Sequence, residues 1–537
     1  MSAFTGTGAL VRLILRRDRV LMPIWVLCLA LIPVAMAAGT AGLYPTDAAR
    51  QGYIDDLSST PLLSMFYGRT PGPSLGALIF WRSATGMIVM ALVGLLTVIR
   101  HTRVEEEAGR RELVGSAVVG RHAGLAAALA ATSGASLVTG VLVALGMISQ
   151  DTPAAGAFAM GLAWAAAGIV FAAVGAITAQ LSSGAGPARG IGIVVLALAF
   201  ALRAVGDVAA GNGGDGLAWL SWTPPLGWIY QVQAYEADRW WMFALIAVLV
   251  AALARVAFAL SARRDIGAGL LASRLGPAAA APGLRTPLAL AWRLHRGTLY
   301  AWTAGLAVYG LLIGGIAKSA ADLMADNRQL QEIMERMGGS SAVSDVFIAG
   351  TLGLGATAVS AYAISAALRM RGEEAGQRAE PLLATPVSRA RWAAGHLVFA
   401  LLGPAVAMTA AGLAAGLTYG LSTGDMGAQL PRVLGGALVQ LPAVWLLAAL
   451  TVAVFGLLPR LAPAVGWVAL SVCLLLGQVG AALRLDDALL DVSPFTHVPH
   501  VPGGSVSATP LLALTGIAAA LLLAGLAGVR RRDIPAG

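Results

Sequence analysis

Two acidic blocks of nearly the same spelling stand one in each half of the sequence. The first reads Glu105-Glu106-Glu107-Ala108-Gly109-Arg110-Arg111-Glu112, the second Glu373-Glu374-Ala375-Gly376-Gln377-Arg378-Ala379-Glu380. Matched letter for letter, Glu106 to Arg111 lies over Glu373 to Arg378. The two loops close at Arg121 and, past Pro386, at Arg389, which are 268 positions apart. Carboxylates and guanidiniums at this density make charge-assisted hydrogen bonds, each contributing roughly 1.5–3 kcal/mol when well formed. That is recognition chemistry, suited to holding a protein partner. Arginines alone would serve membrane topology, but acids contribute little to topology, so it does not account for two Glu-Glu-Ala-Gly blocks.

Other chemistries lack their residues. The two cysteines, Cys28 and Cys473, both lie within apolar runs, which excludes a disulfide framework and a C-x-x-C metal pair. His497 and His500 sit among prolines without a third ligand for a metal. A nucleotide-binding loop needs lysine in G-x-x-x-x-G-K-[ST], and the single lysine, Lys318, follows Ala317. This chain is not its own P-loop ATPase. Arg82 is the deepest charge, set beside Phe80 and Trp81 in an apolar run. A central arginine costs about 2.5–3.5 kcal/mol on insertion scales, so these three residues are expected beside a wet cavity or a carboxylate, as candidates for a substrate pathway.

The elements that must position these residues are membrane helices. Of the 537 residues, 58% are apolar and only 12% charged, with a mean hydropathy of +0.77. A water-facing domain carries about 25% charged residues, so lipid must solvate much of this surface. The sequence pI near 10.1 does not mark a nucleic-acid partner, because the arginines punctuate apolar runs instead of clustering on one patch.

About 20 apolar residues cross a bilayer. Runs that qualify are 21–43, 75–99, 122–148, 155–179, 190–208 and 240–260, then 299–316, 346–368, 392–417, 433–457, 464–483 and 511–529. With the N-terminus in the cytoplasm, 25 of the 36 Lys and Arg residues fall in cytoplasmic segments, which places both termini inside. The basic stretch before Leu21 and the later Ala35-Met36-Ala37 could pass for a signal peptide. A retained first helix is preferred, because the second half opens in a similar way.

Arg263-Arg264-Asp265-Ile266 after the sixth run returns as Arg531-Arg532-Asp533-Ile534 at the chain end, again 268 positions on. Each half also opens on a short basic amphipathic stretch, Leu10, Leu13 and Ile14 with Arg12, Arg16 and Arg17, then Leu288, Ala291 and Trp292 with Arg293 and Arg296. The expected fold is therefore an all-α integral membrane protein of about twelve transmembrane helices. It comprises a first six-span half over 1–269, a linker over 270–283 and a second half over 284–537. Six spans per half make the repeat parallel, with its pseudo-two-fold axis along the membrane normal.

At this point the sequence resembles a known family. The pattern E-x-G-R-x-E-L-L followed by A-x-P-V-S-R, between the second and third spans, resembles the permease subunits of type-2 ATP-binding-cassette (ABC) exporters. The fused twelve-span layout is similar to actinobacterial polyketide-antibiotic or multidrug exporter permeases of the tetronasin type. The resemblance implies a bacterial plasma-membrane permease that moves hydrophobic or amphipathic small molecules outward and is not itself an enzyme. It implies no cofactor in this chain, with ATP and magnesium held by a separate dimeric ABC ATPase. It implies that the two loops are coupling helices, carried by Glu106, Glu107, Gly109, Arg110, Arg111, Glu112 and Arg121, and by Glu373, Glu374, Gly376, Arg378, Glu380, Pro386 and Arg389. It further implies short caps outside, near Trp219–Trp228 and Val492–Phe495. The first loop has Val118-Val119-Gly120 where the family favours Pro-Val-Ser, and the second has Gln377 for arginine, so unequal docking is expected.

Two other readings fit parts of the sequence. A proton-coupled major-facilitator drug transporter would explain Gly109-Arg110-Arg111 and two six-span halves. It expects a Gly-x-x-x-Asp element before Gly109 and buried acids in the spans to relay protons. The spans are expected to hold no buried Asp or Glu, since Asp207 lies at an outer edge. A membrane-embedded glycosyltransferase would use Asp55-Asp56 or Asp486-Asp487, but no tandem repeat is expected of it.

Overall fold

A computed structural model describes residues 2–58, 67–211, 216–265, 267–271, 278–279, 281, 284, 286–325, 340–479, 486–504 and 507–532. The protein is an all-α integral membrane protein, with no strand among the described residues. It divides into two compact units, Met1–Gly276 and Pro277–Gly537. Most of the expected linker 270–283, and Asp533–Gly537, lie outside the described residues.

In the first unit the helices are α1 Thr7–Arg17, α2 Leu21–Leu43, α3 Asp47–Ser58, α4 Leu75–Arg82, α5 Ala84–His101, α6 Arg103–Glu107, α7 Arg110–Gly115, α8 Ala123–Ile148, α9 Ala154–Leu181, α10 Ala185–Gly211, α11 Pro225–Tyr230 and α12 Trp241–Ala262. The second unit has α13 Pro287–Ala325, α14 Ser340–Ala375, α15 Ala379–Leu383, α16 Arg389–Thr423, α17 Met426–Val439, α18 Leu441–Leu457, α19 Ala462–Val479, α20 Asp487–Leu490 and α21 Ala508–Arg531. Every apolar run expected to span falls on these helices as far as it is described, residues 480–483 of the eleventh run lying outside the described residues. Eleven helical segments among the described residues are long and apolar enough to cross a membrane, and α19 supplies a shorter apolar helix.

Helix ends follow local chemistry. Ser74, Ser388 and Asp425 cap α4, α16 and α17 by accepting the backbone N–H three residues on, at 3.2, 3.3 and 3.2 Å. The second run is broken at Ser83, whose hydroxyl donates to the Phe80 carbonyl at 3.2 Å and competes for the helical ladder. The tenth run is broken at Gln440, two residues before Pro442, which lacks the amide the ladder needs.

The same helix pairs pack inside each unit. The first spanning helix lies on the third, the third on the fourth, the second on the fourth and the fourth on the sixth. In the first unit α9 is apolar on every side and buried along most of its length, as the central helix of a bundle must be. Without a hydrophobic drive between helices in lipid, small residues set how closely backbones approach. Gly140 of α8 and Gly161 of α9 face each other so closely that a Cβ on either would strike the other's carbonyl oxygen. Gly456 of α18 meets the Gly525 carbonyl of α21 in the same manner.

The two amphipathic openings fold differently. The first is a separate helix, α1, ended at Asp18, whose amide still donates to the Ile14 carbonyl at 2.9 Å. The second is no separate interfacial helix: Leu288, Ala291 and Trp292 begin the continuous helix α13. Between Arg293 and Leu299 nothing corresponds to the Arg17-Asp18-Arg19 turn, so the helix runs on.

Candidate functional site

The loop between the second and third spans of the first unit holds a buried cluster of charges. Arg103 is fully buried. Its Nη1 donates to Glu106 Oε2 at 2.7 Å, its Nε to the Ala179 carbonyl at 3.0 Å and its Nη2 to the Ala268 carbonyl at 2.8 Å. Arg264 forks onto the same carboxylate, Nη1 to Oε2 and Nη2 to Oε1, both at 2.9 Å. Its Nε donates to Gln180 Oε1 at 2.7 Å. Arg111 donates to Glu106 as well. One carboxylate thus receives three guanidiniums and ties the loop to the ends of α9 and α12. Burying a carboxylate is tolerable only with such compensation.

The neighbouring acids also have partners within the unit. Glu107 Oε1 accepts the Ala185 amide at 2.7 Å at the start of α10. Glu105 pairs with Arg17 of α1 and accepts from Arg110 Nε at 2.7 Å and Nη2 at 3.0 Å. Arg121 donates to the Ala262 carbonyl at 2.5 Å, satisfying the open end of α12.

The second loop repeats this plan with fewer bonds. Glu373 accepts from Arg378 Nε at 3.1 Å, as Glu105 does from Arg110, and Arg369 stands 3.3 Å from its other oxygen. Glu374 accepts from Arg532 Nη2 at 2.5 Å, and the Arg532 guanidinium lies 4.7 Å over the Phe455 ring. Arg371 Nε donates to the Pro459 carbonyl at 2.9 Å, in the place of Arg103 on Ala179. Arg389 Nη1 donates to the Arg532 carbonyl at 2.6 Å, where Arg121 takes Ala262.

These contacts correct the register read from the letters. Glu105 corresponds to Glu373, Glu106 to Glu374 and Arg110 to Arg378, all 268 apart, so the match of Glu106 with Glu373 is one residue out. Gly109 and Gln377 confirm the shift, because both turn with positive φ, +68° and +55°. Gln377 therefore does not replace an arginine. It holds a left-handed turn at the position of Gly109, while Gly376 does not. In the sequence Arg264 and Arg532 stand out only as parts of a repeated doublet. The signal for their role was present, since each stands 158 residues after the acid it holds.

With Glu106, Glu373 and Glu374 turned inward, the loops offer other residues to the outside. In the first, Arg110 and Glu112 are exposed beside Leu113 and Val118, 75% and 72% exposed. In the second, Glu380 and Pro386 are exposed, as is Arg378. An apolar residue left that open among charges suits a protein contact.

At the opposite end of the first unit a cavity of about 750 Å³ opens. Phe80 and Trp81 line it with Tyr230, Asp207, Glu236 and Arg239. Trp81 Nε1 donates to the Gly68 carbonyl at 3.1 Å. Arg82 is not among the lining residues and meets no carboxylate among the described residues. Its Nη1 donates to Thr40 Oγ1 at 2.9 Å and its guanidinium lies 5.7 Å over the Tyr53 ring. The cavity's buried-side acid is Asp207, whose Oδ2 is 3.2 Å from the fully buried Arg203 behind it; the Arg203 guanidinium lies 4.2 Å over the Tyr230 ring. Asp207 is thus a largely buried acid, and Asp345, buried at the start of the eighth span, is paired with Arg432 at 2.7 Å. Both correct the expectation of spans without buried acids. Each is held by an arginine.

The expected outer caps are short. Ala218–Trp222 forms one 3-10 turn before α11, and Trp228 Nε1 donates to the Trp222 carbonyl at 2.7 Å. Tyr235 locks the following loop, its ring wedged against Gly76 of α4 and Gly156 of α9 where any Cβ would collide. Burial pushes its phenol up to about 12, so it stays protonated in its 3.0 Å hydrogen bond with Thr152. His497 lies 2.9 Å from the Asp491 carbonyl, in the turn after α20.

Two units, each a bundle of apolar helices with a charged loop after its second span, and in the first a cavity at the end away from that loop, define a polytopic membrane protein of the permease kind. The comparisons with known proteins agree. The family described as "Multidrug efflux system permease Rv1217c, C-terminal domain" matches residues 284–530. The multidrug efflux system permease protein Rv1217c of Mycobacterium tuberculosis is 46% identical over 535 residues, covering 99% of this chain and 96% of that protein. The chain belongs to this family of efflux-system permeases.

Proposed function

We propose that this chain is the transmembrane permease of an ATP-driven exporter of the type-2 ABC class. It moves hydrophobic or amphipathic compounds out of the cell, drugs and antibiotics among them, as the name of its mycobacterial relative suggests. Both termini face the cytoplasm of a bacterial plasma membrane, and the two units act as parallel six-span halves. A dimeric ABC ATPase binds the two loops and supplies ATP and magnesium.

The observation that carries this reading is the duplicated loop. Each copy is fastened to its own bundle by an inward glutamate and an arginine from the end of the unit's last helix. Each leaves its opposite face open. A loop so fastened would carry a push from a bound ATPase into the spanning helices, because it cannot yield independently. The aromatic vestibule around Phe80 and Trp81 would serve the outer end of the pathway.

The test is transport in inverted vesicles carrying the chain together with the products of its neighbouring genes. Uptake of a hydrophobic fluorescent dye should require hydrolysable ATP and survive an uncoupler. Uptake driven by a proton gradient alone, with the ATPase omitted, would overturn the proposal and favour a proton-coupled transporter working through Asp207.

A further inference from the structure

Between α1 and the first loop lies a slot of about 380 Å³. Leu10, Leu13 and Ile14 of α1 form its apolar wall, and Arg17, Arg110 and Arg111 stand at its rim. Gly124, at the start of α8, leaves the back open.

The charges at this rim do not cancel. Glu105 is the acid lining the slot, and both Arg17 and Arg110 share it. Arg111 reaches Glu106, which lies behind it and is already held by Arg103 and Arg264. His101 is turned to Asp18, with its Nε2 2.8 Å from the carboxylate, and Arg100 also holds Asp18 at 2.9 Å. Three guanidiniums therefore face the slot against one carboxylate. Arg17 and Arg110 keep 40% and 48% of their side-chain surface open, so their remaining N–H donors are accessible.

We infer that this slot holds an anionic phospholipid, its phosphate on Arg17, Arg110 and Arg111 and its acyl chain along Leu10, Leu13 and Ile14. Guanidinium forks match phosphate oxygens in geometry and charge. An amphipathic basic helix in the interface lies at headgroup depth, where such a lipid is presented from the bilayer. The second unit supplies a contrast. Its slot in the corresponding place, about 180 Å³ between the start of α13 and the second loop, is lined by Glu373, Leu290, Thr385 and Trp392, with no arginine among the described residues. The lipid therefore ties α1 to the first loop. This inference needs only the membrane setting, so it stands or falls apart from the ATP-driven reading.

The experiment is native mass spectrometry of the purified full-length chain, delipidated in detergent, titrated separately with dioleoyl phosphatidylglycerol and dioleoyl phosphatidylcholine. Wild type should retain phosphatidylglycerol at least fivefold over phosphatidylcholine. Arg17→Gln removes one phosphate ligand. Gly124→Leu fills the slot without changing charge, since a Cβ there meets Arg111 only at ordinary contact distance, 3.6 Å. Each should lower phosphatidylglycerol retention at least fivefold while staying monodisperse, and Arg12→Gln, outside the slot, should not. Equal retention of the two lipids, or retention unchanged in both variants, would overturn the assignment. So would displacement of the lipid by 10 mM inorganic phosphate, which would make the slot a free-phosphate site.

Discussion

Glu106→Ala should unfold the first unit's loop end before it weakens any partner. The substitution removes the carboxylate that three guanidiniums share, and two of them, Arg103 and Arg264, are almost wholly buried. Removing one member of a buried ion pair costs about 3–5 kcal/mol, because the remaining charge is left without compensation. Glu374→Ala deprives one arginine, Arg532, which keeps 16% of its side chain in contact with solvent and rests over Phe455. Loss of one charge-assisted hydrogen bond there costs about 1.5–3 kcal/mol. For units of this size each kcal/mol moves the thermal midpoint by about 2–4 °C, so Glu106→Ala should lose roughly 6–20 °C and Glu374→Ala clearly less. The assay is thermal unfolding in one detergent, followed by intrinsic fluorescence, with Glu106→Gln as a neutral isostere. If both variants melt with wild type, the carboxylates are not structural, and the inward cluster is refuted.

Gly140→Leu places a side chain against the Gly161 backbone and should destabilise by at least 1–3 kcal/mol, the usual range for overpacking, whereas Gly134→Leu on the same helix meets nothing and should be tolerated. Limited proteolysis of the detergent-solubilised protein separates the two. The raised Tyr235 phenol has a pH signature. The unfolded phenol ionises near 10 and the folded one near 12, so its stabilisation is complete below pH 10 and lost between pH 10 and 12. Tyr235→Phe should shrink the loss of stability across that window, read as the thermal midpoint against pH.

The spans were legible because bilayer thickness sets a length and hydrocarbon sets a composition, and both are written in single-residue letters. The fate of the two basic openings was not, because one residue decided it. Asp18 ends α1, and nothing comparable stops α13. The loops were legible as special and misread in orientation. Their acids look like docking groups until Arg103 and Arg264 are seen to bury Glu106, and that proximity is tertiary. The one-residue slip arose because the first block carries an extra glutamate, while a backbone turn, marked by Gly109 and Gln377, holds the true correspondence. Phe80 and Trp81 were found as cavity residues from the depth of Arg82, yet Arg82 itself turns away to Thr40. Asp207 lines the cavity instead, paired with Arg203 four residues earlier on the same helix.

The central claim is that a separate ATPase binds the exposed faces of the two loops, and co-purification measures it most directly. The chain would be co-expressed with its neighbouring genes and captured by a tag on the chain, and the co-purifying proteins searched for a P-loop ATPase. The comparison is the surface pair Leu113→Glu with Glu380→Arg, which touches neither buried cluster and should leave the thermal midpoint unchanged. The account predicts an ATPase bound to wild type and at least tenfold less bound to the surface pair. An ATPase that never accompanies the wild-type chain, or that stays equally bound to the surface pair, would contradict it.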